Sequence, residues 1–300
     1  MIAVNNVSRR FGQLVAVHDV SFQVEAGEIF GLVGPDGAGK TTTLRMITGI
    51  VEITSGSITL LGANNAEAVK EQLGYVPQKF SLYGDLTVME NIRLMGALYG
   101  ADENQIEARA NEILAFTQLL PFKNRLADHL SGGMKQKLAL AAGLMHKPKV
   151  FFLDEPTTGV DPVSRREFWH MLYRLNKEGM TIVVSTPYMD EAELCTRIAF
   201  MHQGRIVACN SPEGLKKAYP YKLLELYVNN KNIKEILIHC PVLDMNPFGE
   251  KYHLVVASVS QAKTSIKAAL KKAGVNQFQL EEIRPGLEDV FVHLAEGGNR

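Results

Sequence analysis

The sequence predicts an α/β protein with a mixed-sheet core, an antiparallel β subdomain and a helical insertion, followed by a small α/β module. Three observations lead there. A compact apolar strand at 28–33 runs through a Gly-rich turn into a helical segment at 40–48, the order that opens a βαβ unit. The apolar run V-F-F-L at 150–153, and a second at 180–185, suit strands buried on both faces. Between the 28–48 unit and these runs, residues 86–146 change to helical periodicity.

Taken in order, residues 1–27 read as two or three short strands, because V-A-V-H-D-V-S-F-Q-V alternates apolar and polar side chains. S-G-S-I-T-L-L-G is a further strand bounded by turn residues. V-M-E-N-I-R-L-M-G-A-L-Y, I-E-A-R-A-N-E-I-L-A-F and L-A-L-A-A-G-L-M carry the helical insertion. A helix is expected over 162–178, with Pro162 near its first turn. M-H-Q-G-R-I-V-A-C closes the α/β part as a strand pair. Composition and rhythm shift after S-P-E-G-L-K-K-A-Y-P, which places a first domain at 1–220 and a second at 221–300. In the second, strands at 221–228, 252–259 and 277–283 and helices at 233–238, 262–273 and 287–295 make a βαβαβα module.

The chain has 300 residues, 46% hydrophobic and 21% charged, an ordinary globular balance. Lys plus Arg and Asp plus Glu both total 32, so net charge is zero and bulk electrostatics does not favour a nucleic-acid partner. Cys195, Cys209 and Cys240 form no C-x-x-C pair, as expected of reduced thiols in a cytosolic protein. No uncharged stretch reaches the roughly 18 residues that a membrane span needs, and the N-terminus has no signal-peptide pattern. A role at a membrane therefore implies a partner already in it.

Gly34, Pro35, Asp36, Gly37, Ala38, Gly39, Lys40 and Thr41 read G-P-D-G-A-G-K-T and match G-x-x-x-x-G-K-[ST] between a strand and a helix. Glycines there let backbone N–H groups point at phosphates, and the helix start adds about half a positive charge. Lys40 is placed to reach the β- and γ-phosphates and the Thr41 hydroxyl to ligate Mg²⁺, with Thr42 completing the ATP-binding set. In V-F-F-L-D-E-P an apolar strand delivers two carboxylates at its C-terminal end, where α/β sheets bind ligands. Asp154 is placed to hold Mg²⁺ and Glu155 to orient or deprotonate an attacking water. In L-S-G-G-M-K-Q-K-L, Ser131 caps a helix whose first N–H groups Gly132 and Gly133 leave exposed, an anion-binding arrangement.

The G-P-D-G-A-G-K-T loop, L-S-G-G and L-D-E-P, in this order and spacing along the chain, resemble the ATP-binding-cassette (ABC) transporter ATPases. The resemblance implies the P-loop NTPase fold of that family, with ATP and Mg²⁺ as cofactors. It makes Phe11 in R-R-F-G an aromatic that stacks on adenine. It makes Gln78 in G-Y-V-P-Q the glutamine that senses Mg²⁺, the γ-phosphate and the membrane partner, a catalytic and metal-site residue. It puts Asp161 in G-V-D-P in the loop linking two ATP sites, and Ser131, Gly132 and Gly133 on a partner's nucleotide. L-E-D-V-F resembles the tail of single-cassette drug- and lipid-efflux ATPases. Two positions depart. Asp36 stands where the family usually has Asn. Pro187 stands where the family has the His that contacts the γ-phosphate, and it has neither a side-chain donor nor an N–H. Pro187 is expected at the first helical position, with Thr186 as N-cap and Asp190, Glu191 and Glu193 favouring the helix dipole.

The resemblance implies a cytosolic ATP-hydrolysing subunit of an exporter, peripheral on the cytoplasmic face of the cell membrane. It would pair head to tail with a second cassette and receive a short helix from a separate transmembrane permease in the insertion around K-F-S-L-Y-G-D-L-T. Pro187 supports an alternative, a degenerate regulatory subunit paired with an intact cassette. A soluble ABC protein of translation or DNA repair fits poorly, since the chain has one cassette and no long coiled coil.

Overall fold

The computed structural model describes residues 1–100, 102–230 and 232–297. Strands β1 (Ile2–Phe11) and β2 (Leu14–Val24) form an antiparallel hairpin. Its tight turn is at Gly12, whose φ of +57° suits a residue without a Cβ. The alternation seen in the sequence becomes a buried face of Val17, Val20, Phe22 and Val24 on β2. β3 (Ile29–Val33) is buried at all five residues and leads into α1 (Lys40–Ile47). β4 (Ser55–Leu60) then returns to pair with β1, giving a three-stranded antiparallel sheet in the order β2-β1-β4. Its inner face shares one core with the main sheet, including Val17, Phe22, Phe30, Leu44 and Phe152, and the Phe22 and Phe30 rings stack at 5.1 Å.

A short strand, β5 (Leu73–Val76), precedes the insertion. The insertion comprises α2 (Val88–Leu98), α3 (Glu103–Phe116) and α4 (Gly132–Gly143). α2 begins in a capping box between Thr87 and Glu90, and α3 at Asp102, so both starts satisfy their free N–H groups locally. The α/β order resumes with β6 (Val150–Asp154), α5 (Pro162–Lys177), β7 (Thr181–Thr186), α6 (Met189–Ala192), β8 (Arg197–His202) and β9 (Arg205–Asn210). These complete a six-stranded sheet in the order β5-β6-β7-β3-β8-β9, parallel except for β9. The order decides where the chemistry lies. β7 sits between β6 and β3, so the turns leaving the carboxyl ends of β3 and β6 flank the end of β7. β3, β6 and β7 are buried throughout, and each fully buried Phe, Leu, Ile or Val side chain contributes about 1.5–3 kcal/mol.

Two compact units divide the chain, Met1–Pro212 and Glu213–Arg300. The composition change places this division at 220–221, yet residues 213–220 join the second unit, where the Tyr219 ring meets Tyr221 at 6.0 Å and His293 at 5.4 Å. α7 (Pro212–Ala218) is followed by β10 (Lys222–Tyr227), α8 (Ile233–Leu237), β11 (Asp244–Phe248), β12 (Lys251–Val256), α9 (Val259–Lys272), β13 (Gln279–Ile283) and α10 (Leu287–Gly297). The βαβαβα expectation is corrected by β11, whose Asp, Asn and Pro conceal a strand. Pro247 is tolerated because β11 is an edge strand in the antiparallel order β11-β12-β10-β13. The strand expected to reach 259 stops at Val256, because Val259 already begins α9. Leu224, Leu226, Leu254, Val256, Ile266 and Leu270 form this unit's own core. Among the described residues, no helix is long and apolar enough to cross a membrane.

Candidate functional site

The loop between β3 and α1 is shaped by contacts only glycine permits. A Cβ on Gly34 would lie 2.1 Å from the Met201 carbonyl oxygen, and Gly39 caps α1 with φ +103°. Pro35, Asp36 and Gly37 are exposed at the tip, so the Asp36 charge faces solvent and is largely screened. Lys40 is 3% exposed. Its ammonium donates to the carbonyls of Gly34 (2.8 Å) and Pro35 (3.0 Å) and pairs with Glu155 Oε1 at 3.1 Å.

Asp154 ends β6 with no exposed surface. Its Oδ1 accepts from the Thr41 hydroxyl at 2.9 Å and from Ser185 at 2.7 Å, and its Oδ2 accepts from Tyr75 at 3.3 Å. Burial, and then the neighbouring Asp154 charge, hold the Tyr75 phenol above its ordinary pKa, so it remains a donor. Glu155 follows in a left-handed conformation with φ +48°, a strain of about 1–3 kcal/mol for a residue with a side chain. Its N–H is fixed to the Ser185 carbonyl (3.1 Å) and hydroxyl (3.0 Å). Its Oε2 accepts from Gln78 Nε2 at 2.9 Å and from the Thr158 hydroxyl at 3.4 Å. β5 and β6 are neighbours, which carries Gln78, two residues past Val76, to Glu155.

Lys40, Thr41, Glu155 and the 37–42 backbone line a cavity of about 340 Å³, closed on another side by Leu14, Val15, Ala16 and Gln203. Thr41 and Asp154 present a hydroxyl and a carboxylate to each other, the hard oxygen donors Mg²⁺ takes. Among the described residues there is no group of three or more His, Cys, Asp or Glu that would cage a metal. The donor set therefore fits a Mg²⁺ ion completed by water and phosphate oxygens, the usual way that ion is held.

The remaining expected residues lie apart from that cavity's lining. Phe11 is 45% exposed at the hairpin end, opposite Leu14, with the Arg9 guanidinium 4.5 Å from its ring centroid. Ser131 is exposed and caps α4 by accepting from the Met134 N–H at 3.3 Å. Gly132 is exposed beside it. Gly133 is buried, and a Cβ there would lie 2.7 Å from the Ser164 side chain, so its lack of a side chain seats α4 against α5. Asp161 caps α5 through the N–H groups of Val163 (3.1 Å) and Ser164 (3.0 Å), and that hydrogen bonding, led by Ser164, holds its carboxyl below the ordinary range.

The expected helix start at Thr186 and Pro187 is corrected. β7 continues through Thr186, which pairs with Val33. Pro187 is half-buried in the turn, and Tyr188 is the N-cap of the four-residue α6. Thr186 instead accepts the Tyr188 N–H at 3.1 Å. Glu193 is the C-cap, and Glu191, expected to favour the dipole, is 1% exposed and bound to side chains. Sequence reasoning missed Ser185, Tyr75, Leu14, Val15, Ala16, Gln203 and Glu191. Of these only Ser185 carried a signal, a polar residue ending a buried apolar strand.

A phosphate-cradling loop, a buried lysine and two strand-end carboxylates on a P-loop sheet with an antiparallel subdomain define an ABC-type nucleotide-binding cassette. The chain belongs to the ABC transporter ATPase family. The family model described as ABC transporter matches residues 17–158. The probable multidrug ABC transporter ATP-binding protein YbhF of Escherichia coli (strain K12) is 38% identical over 305 residues, covering 99% of this chain and 52% of YbhF. The linearmycin resistance ATP-binding protein LnrL of Bacillus subtilis (strain 168) is 34% identical, covering 98% of each chain. The chain thus spans about half the length of the first relative and nearly all of the second. A solved structure described as an ATP binding subunit of an ABC transporter superposes with TM-score 0.65 at 29% identity, covering 72% of this chain and 92% of that one. The dimeric post-hydrolysis structure of the cassette MJ0796, bound to ADP and Pi, also superposes with TM-score 0.65, at 26% identity over 70% of this chain and 98% of that one.

Proposed function

We propose that this chain binds and hydrolyses ATP to drive export through a separate transmembrane permease, working as one of two cassettes on the cytoplasmic face of the membrane. The observation that carries the reading is the convergence of Lys40, Thr41, Asp154 and Glu155 at one P-loop. The names of the relatives, a probable multidrug ABC transporter ATP-binding protein and a linearmycin resistance ATP-binding protein, support an efflux role.

In this reading Lys40 exchanges Glu155 and two loop carbonyls for phosphate oxygens. That exchange frees the Glu155 carboxylate to take a proton from the attacking water, while Gln78 keeps it oriented. Thr41 and Asp154 hold Mg²⁺, which when bound neutralises developing phosphate charge. Leu14, Val15 and Ala16 wall the cavity toward Phe11, the base-stacking candidate. The exposed Ser131 and Gly132, with the buried Gly133 behind them, serve the nucleotide of a second cassette, and Asp161 borders that junction.

Pro187 favours a second reading. With no donor at that position, the chain's own site turns over slowly while its Ser131 loop serves a partner fully. Steady-state ATPase assays of the chain, alone and with its permease and any neighbouring cassette, test both readings. Turnover that appears only when an intact cassette is added supports the regulatory reading. No nucleotide binding by the wild type rejects both.

A further inference from the structure

We propose that Glu191 is a positioning residue for hydrolysis, a buried bridge that holds the strained Glu155 turn against the end of β7. The proposal rests on the ATPase reading above. Glu191 lies in α6, outside the phosphate loop, and is 1% exposed. Its Oε1 accepts from the Thr157 hydroxyl and its Oε2 from the Thr186 hydroxyl at 2.6 Å. Thr157 and Thr186 are each 1% exposed. The Arg165 guanidinium stands 3.5 Å from Oε1 and reaches the exposed Asp190 at the same distance.

The two hydroxyls belong to the two segments that meet at Glu155. Thr157 lies two residues after it, in a turn closed by Thr158 N–H to Glu155 O (3.2 Å) and Val160 N–H to Thr157 O (3.1 Å). Thr186 follows Ser185, which takes the Glu155 N–H on both its carbonyl and its hydroxyl. Two cross-links therefore join the β6 turn to the β7 end: Ser185 directly, and Thr157–Glu191–Thr186. A left-handed non-glycine residue persists only where its surroundings over-determine it, and this second cross-link is what over-determines Glu155. The bridge matters more here than in a cassette with histidine after Thr186, because Pro187 offers no donor to anchor the same turn from the nucleotide side.

The test uses the full chain with its partners. Glu191→Ala is expected to lower kcat about 10–100-fold, the scale of a small misplacement of a catalytic group, with ATP affinity unchanged within about twofold. Glu191→Gln, whose single carbonyl oxygen serves one hydroxyl, falls between. Thr157→Val lowers kcat in the wild type and adds nothing in the Glu191→Ala background. Amide hydrogen exchange at 155–158 speeds about tenfold in Glu191→Ala, a readout independent of turnover. Unchanged kcat and unchanged exchange at 155–158, or fully additive Thr157 and Glu191 effects, overturn the proposal. A wild type that binds no ATP overturns the ATPase reading instead, and the exchange measurement still decides the bridge.

Discussion

Lys40, Asp154 and Glu155 are 3%, 0% and 6% exposed, and each is held by two or more partners from separate segments of the chain. Ser131 and Asp161 are exposed, and each side chain accepts from backbone N–H groups of the helix it starts. The difference teaches that the phosphate-loop side is finished within one chain. The Ser131 side lies at the surface, as the proposed role toward a second cassette requires. Buried polar groups must be paired inside the fold, whereas exposed ones can keep water until a ligand arrives.

Lys40→Ala attacks the finished side and carries the largest expected effect. It leaves Glu155 buried without its cation and removes the phosphate contact, so ATP binding weakens and turnover is lost, as titration with a fluorescent nucleotide and an ATPase assay will show. Unchanged affinity and rate would break the comparison. Pro187→His comes next. Restoring one preorganised donor is expected to raise kcat by about 10²–10³, with ATP affinity measured in parallel. Equal rates for wild type and variant would remove the regulatory reading. Ser131→Ala sharpens the other side: it costs about 1 kcal/mol of helix-start stability by thermal melting, and it lowers turnover only when a second cassette is present. A loss of ATP binding by the isolated chain would place Ser131 in its own site.

The smallest expected effect is a pH dependence of stability in the first unit. His146 Nε2 donates to the Leu73 carbonyl (2.7 Å), the ring stacks on Tyr99 at 3.8 Å, and burial pushes its pKa below the ordinary value. The unfolded chain therefore binds the proton more readily than the folded one. The contribution is fully present above the unfolded value near pH 6.5 and is lost as pH falls through the lower folded value. Melting temperatures between pH 7.5 and 5 should fall more for the wild type than for His146→Gln.

The phosphate loop and the acid pair were legible because contiguous residues carry both, with the strand and helix context written around them. Gln78, distant in sequence, was reached only by resemblance. The cross-links were not legible. Ser185 and Glu191 lie 30 or more residues from the partners they hold on the β6 turn, and only the strand order brings them together. Thr186 read as a helix cap because Thr-Pro before acids is a sound helix start. Continuation of the parallel ladder to Val33 overrode that preference. β5 escaped notice because L-G-Y-V is short and contains a glycine, which packs there without a Cβ against the Phe151 ring. Cavity walls at Leu14, Val15, Ala16 and Gln203 left no local mark.

Glu155, strained and paired with Lys40, is the proposed base of the ATPase. The most direct measurement is hydrolysis and dimerisation of Glu155→Gln beside the wild type, with ATP and Mg²⁺ at high protein concentration. We expect the variant to bind ATP, to lose turnover by about 10²–10⁴-fold, the range of a missing general base, and to accumulate a dimer on sizing chromatography. A variant that hydrolyses ATP at the wild-type rate, with both proteins eluting as monomers, would contradict it.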